Sequence, residues 1–199
     1  MHSRIFFILI FSISSVFLSA QSKKKIRELK IKSTTETITL YKDGKQTASY
    51  KSDYSVYDKE GNTIEETEYN QDGTVKKKET TKYAGKDKTE VVVEHPNPEK
   101  EKNNSDDGPK KYKRTTWKYN STGDKTEEDE YDEAGKLVQK KTYAYNNNGD
   151  LMFEMEYDGS GTLTKKIAYG YDAKGLKTEK KTYGPNDVLE KDITYTYTY

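Results

Sequence analysis

Apolar and polar residues alternate along short stretches of this chain, and turns interrupt the alternation at regular intervals. LMFEMEY (151–157) puts Leu151, Phe153, Met155 and Tyr157 on one side of an extended strand. Met152, Glu154 and Glu156 fall on the other side. TYAY (142–145) and ITYTYTY (193–199) alternate in the same way. The punctuation is YNSTG (119–123), YDEAG (131–135), YNNNG (145–149), YDGSG (157–161), YDAKG (171–175) and YGPND (183–187). Asn, Asp and Gly supply the conformations that tight turns require, and Tyr, Thr, Val and Ile suit a pleated surface. Roughly seven to nine residues separate consecutive turns, enough for a strand and too few for a stable helix.

The spacing is a repeat. Trp117, Tyr143, Tyr169 and Tyr195 lie 26 residues apart, as do Tyr119, Tyr145, Tyr171 and Tyr197. Tyr131, Tyr157 and Tyr183 follow members of the second series by 12. Steps of 12 and 14 are both even, so the aromatic residues keep one parity, which predicts one tyrosine-rich face and one charged face. A weaker form of the unit begins at Tyr57, with YDKEG (57–61) and YNQDG (69–73). TETITLYKDGKQTASY (35–50) reads as strand, turn, strand. SKKKIRELKIKS (22–33) is either a short amphipathic helix or a solvated lead-in, and the lead-in is the preferred reading. PNPEKEKNNSDDGPKK (96–111) has three prolines and no large apolar residue, and reads as a loop inserted between two blocks of one meander. The expected fold is all-β: an antiparallel β-meander of about a dozen strands built from 26-residue hairpin units. It forms either a single-layer sheet or an open barrel or sandwich.

Residues 1–20 carry Arg4, an apolar run from Ile5 and a small-residue end at Leu18-Ser19-Ala20, the pattern of a secretory signal peptide cleaved after Ala20. The expectation is an exported protein of the periplasm, cell surface or medium, with residues 21–199 as one repeat domain and no transmembrane segment after processing. Of 35 basic residues, losing Arg4 leaves 34 against 34 acidic ones, so no long-range attraction to nucleic acid arises. The sequence has no cysteine and therefore no disulfide or thiol chemistry. Charged residues make up 35% of it, so any core is thin and aromatic.

The segments YDEAGKL, YDAKGLK, YDGSGTL and YDKEGNT resemble the YD repeats of the RHS family, whose motif is Tyr-Asp-x-x-Gly followed by a strand. YKDGK (41–45) and the glycine-spaced hairpins are also similar to MORN-like repeats of bacterial surface and antitoxin-type proteins. The resemblance implies an exported β-repeat protein and, as an alternative, an immunity or antitoxin-like partner.

Catalytic chemistry finds little to use. After export the chain keeps a single histidine, His95, at a position where the repeat calls for tyrosine, so it reads as a face residue. The carboxylates of EETEY (65–69) and EEDEY (127–131) could supply a hydrolase pair, yet they alternate along strands beside lysine runs, where cross-strand pairing explains them. Turn aspartates suggest calcium, but Asp after the first turn residue is the ordinary Asx-turn choice. No catalytic residue, metal ligand or cofactor is assigned. The candidate binding residues are Trp117, Tyr143, Tyr169 and Tyr195, equivalent members of one ladder. In a curled sheet the ladder becomes core, the preferred reading; in a flat one it is a platform for sugar rings. The expected role is a non-catalytic binding or structural protein of the cell envelope. Its partners would be a carbohydrate or another envelope protein, met through the aromatic face or the edge strands.

Overall fold

The computed structural model describes residues 22–85, 87–94, 96 and 114–199. The expected leader at 1–20, His95 and, apart from residue 96, the expected loop at 96–111 lie outside the described residues. One short helix, α1 (Lys23–Glu28), precedes twelve strands. The first five are β1 (Ser33–Lys42), β2 (Lys45–Tyr57), β3 (Thr63–Tyr69), β4 (Val75–Ala84) and β5 (Asp87–Glu94). Further along the chain come β6 (Arg114–Tyr119), β7 (Lys125–Tyr131), β8 (Leu137–Tyr145), β9 (Leu151–Asp158), β10 (Leu163–Tyr171), β11 (Lys177–Tyr183) and β12 (Leu189–Thr198). They form one open antiparallel sheet in the order β5-β4-β3-β2-β1-β12-β11-β10-β9-β8-β7-β6. The two ends of the sheet-forming chain thus pair with each other at the centre, Glu36 opposite Tyr195 and Ile38 opposite Ile193. The edges are β5 and β6, which are neighbours in sequence. Both repeat blocks belong to this one sheet.

Six of the hairpins are closed by the same chemistry. In the turn after β6, the Asn120 amide donates to the Asp124 carbonyl (2.9 Å) and the Gly123 amide to the Asn120 carbonyl (3.1 Å). The Asn120 side-chain oxygen accepts from the Thr122 and Asp124 amides at 3.0 and 2.8 Å. Asp58, Asp132, Asn146, Asp158 and Asp172 repeat this pattern. Their oxygens are therefore engaged by turn amides, the physical reason for Asx at this place.

The turn also adds a residue. Beside every hairpin turn the register shifts, at Lys118/Tyr119, Glu130/Tyr131, Ala144/Tyr145, Gly170/Tyr171 and Thr182/Tyr183 among others. These are β-bulges, and from β6 to β12 they pair odd residues of one strand with even residues of the next: Tyr143 with Glu154, Tyr169 with Lys180. The expectation of one tyrosine face and one charged face is therefore corrected. Trp117, Tyr143, Tyr169 and Tyr195 lie on one face, while Tyr131, Tyr157 and Tyr183 lie on the other, and charged residues share both.

The lead-in reading of residues 22–33 is corrected as well. Ser22 caps α1 by accepting from the Lys25 amide (3.3 Å), and the helix turns Ile26 inward. Ile26, Ile31, Tyr57 and Leu176 form a small apolar cluster, with Leu29 and Tyr197 packed against it. Lys23 bonds Asn62 in the β2–β3 turn. Lys25 bonds the Gly175 carbonyl in the β10–β11 turn and approaches Asp150 of the β8–β9 turn at 3.8 Å. The first and last of these turns are six strand steps apart, roughly 29 Å in a flat sheet. Two lysines on a helix of 6 residues reach both, so the sheet curls around the helix. Bulges at every hairpin supply the bend.

Candidate functional site

The curl makes one face inner and the other outer. Ile38, Ile167, Tyr169 and Ile193 of the inner face are buried, whereas Thr194, Thr196 and Thr198 of the outer face are exposed. Following the registers outward from Glu36 and Tyr195, the inner face comprises Asp53, Glu66, Glu68 and Glu79 on the β2–β4 side. On the β12–β6 side it comprises Lys180, Tyr169, Glu154, Tyr143, Lys141, Glu128 and Trp117.

The four ladder residues do occupy this one face, on alternate strands β6, β8, β10 and β12. They are about 10 Å apart, two strand spacings, and do not stack on one another. Charged residues fill the steps between them. Trp117 stands opposite Glu128, Tyr143 opposite Glu154, Tyr169 opposite Lys180 and Tyr195 opposite Glu36. Trp117 Nε1 and the Tyr143 hydroxyl both donate to Glu128 Oε2, at 3.3 and 3.5 Å, and the Tyr169 hydroxyl donates to Glu154 Oε2 at 3.3 Å. Lys125 lies over the Tyr143 ring at 4.5 Å and Lys177 over Tyr169 at 4.8 Å, cation–π geometry. A second tyrosine series anchors the backbone. Tyr83, Tyr145, Tyr171 and Tyr197 each donate to a carbonyl 20 residues earlier.

Exposure varies along the ladder. Tyr169 is 5% exposed at the middle of the sheet and Trp117 is 52% exposed on the edge strand β6. Tyr143 and Tyr195 are half-buried. Burial, ahead of the nearby carboxylates, pushes the Tyr143 hydroxyl up to about 12, and Tyr169 and Tyr195 rise as well. All four ring systems are neutral, hydrogen-bonding surfaces at physiological pH.

Sequence reasoning missed the charged centre of this face. Glu36 is directly opposite Asp53, with Glu66 one strand further. Burial and then the Asp53 carboxylate raise Glu36 from 4.5 to about 7. Asp53 and Glu66 are raised for the same leading reason. On the other flank, burial followed by Lys180 lowers Lys177 and Lys191. Parity conceals this centre, because Glu36 and Tyr195 appear on opposite faces until the β1–β12 pairing is known.

The raised Glu36 has a measurable consequence. Its folded carboxyl binds a proton more tightly than the unfolded one, so its contribution favours folding below about 4.5, declines as pH rises to about 7, and is flat above. Glu36→Gln is expected to flatten that slope and to raise stability at neutral and alkaline pH. The gain is at most about 3 kcal/mol, reduced where water reaches the face. Urea midpoints across this pH range test it; a steeper slope in the variant would remove Glu36 as the cause.

No family model matches the chain, and no curated protein matches it. Among solved structures, it is similar to a DUF1329 family protein from Desulfovibrio piger at 12% identity. That alignment covers 87% of each chain, with a TM-score of 0.38. It is also similar to a porin-like protein from Bacteroides uniformis at 12% identity, covering 84% of this chain and 98% of that one, with a TM-score of 0.32. A TcdB2-TccC3-Cdc42 structure aligns at 11% identity over 77% of this chain and 9% of that one, with a TM-score of 0.19. None of these likenesses carries an argument about function.

Proposed function

We propose that this is a non-catalytic binding protein of the cell envelope, an exported member of the YD-repeat type, whose contact surface is the inner face. The observation that carries this reading is the regular succession of aromatic rings and charged groups from Trp117 to Glu36. Rings supply flat apolar area, and their hydroxyls and the adjoining Glu and Lys groups supply hydrogen bonds, the combination that suits a hydroxyl-rich polymer such as a polysaccharide. The sheet's curvature gives that surface the width of a groove. Export is read from Arg4, the apolar run and Ala20, and among the described residues no helix is long and apolar enough to cross a membrane.

The test is direct binding of the processed protein to a panel of soluble polysaccharides, followed by calorimetry on any that bind. Binding of at least one polysaccharide that Tyr143→Ala weakens would support the reading. A panel without binders, alongside a stable complex with a co-purified protein, would favour the antitoxin-like alternative. A hydrolase is the third reading, resting on Glu36 opposite Asp53. It would show as product release that Glu36→Gln abolishes. The two carboxylates stand side by side on one face rather than across a cleft, which favours binding over hydrolysis.

A further inference from the structure

The open edges of the sheet carry an unresolved contradiction. Val91, Val92 and Val93 of β5 are 46%, 44% and 45% exposed, and Trp117 and Tyr119 of β6 are 52% and 61% exposed. An apolar edge strand of this kind is an aggregation site unless something pairs with it. The sheet contains an even number of strands, so its first and last strands run antiparallel to each other. That is the relation two sequence neighbours need in order to form a hairpin-like pair.

We propose that β5 and β6 of the same chain pair with each other, Glu94 opposite Arg114, and that the open sheet thereby has a closed, twelve-stranded state. Three observations converge on this register. First, the faces match. Val91 and Val93 are inner residues through Thr81 and Glu79, and Trp117 and Thr115 are inner through Glu128 and Glu130. Glu94, Val92 and Glu90 are outer, as are Arg114, Thr116 and Lys118. Second, the charges match: with Glu94 at Arg114, Glu90 falls opposite Lys118. A shift of two residues in either direction places neither acid opposite a base. Third, the pairing continues rows already present. Lys82 holds Glu90 at 2.6 Å and Lys118 holds Glu127 at 2.5 Å, so closure produces an outer row of alternating sign, Lys82–Glu90–Lys118–Glu127. On the inner face it sets Val91 against Trp117 and covers both. The inner face is accessible from the side in the open state and enclosed in the closed one. This proposal stands on the edges alone and does not rest on the binding reading.

The chain has no cysteine, which makes the test clean. Val92→Cys with Thr116→Cys places two thiols directly opposite on the outer face, within disulfide reach for either kind of antiparallel pair. Mild oxidation is expected to give an intrachain disulfide at monomer mass, about tenfold faster than in the off-register pair Val92→Cys with Lys118→Cys. Covalent dimers as the main product would overturn the proposal by making a second copy the occupant of each edge. Equal rates for the two pairs, or no disulfide, would also overturn it. Hydrogen exchange on the unaltered protein is the second measurement. Closure is expected to slow consecutive amides across Val91–Val93 and Thr115–Trp117 by about tenfold or more relative to a free edge, where alternate amides face water. Fast exchange of alternate amides in both strands would contradict it.

Discussion

Leu176→Ala is expected to lower the stability of the protein by about 3 kcal/mol. Leu176 is fully buried, among Ile26, Ile31 and Tyr57. Elsewhere the sheet has a thin, tyrosine-lined interior in which deleting a few carbon atoms lets neighbouring side chains and water move in. At Leu176 the surroundings are a helix, a turn and the end of β2 held by hydrogen bonds, which cannot collapse on the space left behind. The effect should register as a lower urea midpoint with an unchanged slope, together with faster trypsin cleavage at Lys23–Lys25 as α1 detaches. A cost below about 1 kcal/mol would mean that this cluster is not what fixes α1 to the sheet.

Gly61→Ala is expected to cost about 2 kcal/mol or more, through two separate mechanisms. Gly61 has φ +80, in the left-handed region, and a Cβ there would come within 2.5 Å of the Lys23 carbonyl oxygen. That oxygen is helix backbone and cannot rotate away, so α1 must shift from the β2–β3 turn. Gly123 separates the two terms. It has φ +88 in the equivalent turn after β6, with open space where the Cβ would go. Gly123→Ala should therefore cost only the conformational part, about 1 kcal/mol. Equal losses for the two variants would show that the close approach of α1 contributes nothing.

Much of this architecture is legible in the sequence because the turns are so regular. Tyr-Asx-x-x-Gly fixes where each strand stops, and the described strands of the second block begin and end where the turns place them, as β9 does at Leu151 and β10 at Tyr171. What parity could not reveal is the bulge. One added residue per hairpin is invisible in a spacing of 12 or 14, yet it moves Tyr131, Tyr157 and Tyr183 to the outer face and brings Glu154 and Lys180 beside the ladder. The central pairing of β1 with β12 was equally hidden. Nothing local links Glu36 to Tyr195, which lie at opposite ends of the sheet-forming chain. The helix was obscured because KKKIRE has only one apolar residue; its stability comes from the Ser22 cap and from Leu176, far away in sequence.

The inner face is the centre of the functional reading, and two tyrosines test it against the outer one. Tyr143 and Tyr183 are both half-buried, both on the β6–β12 side of the sheet, and on opposite faces. The decisive measurement is the affinity of the best-binding polysaccharide for Tyr143→Ala and Tyr183→Ala beside the unaltered protein. The expected result is a loss of at least about tenfold for Tyr143→Ala with Tyr183→Ala near the unaltered value. Equal losses, or a loss confined to Tyr183→Ala, would contradict binding through the inner face.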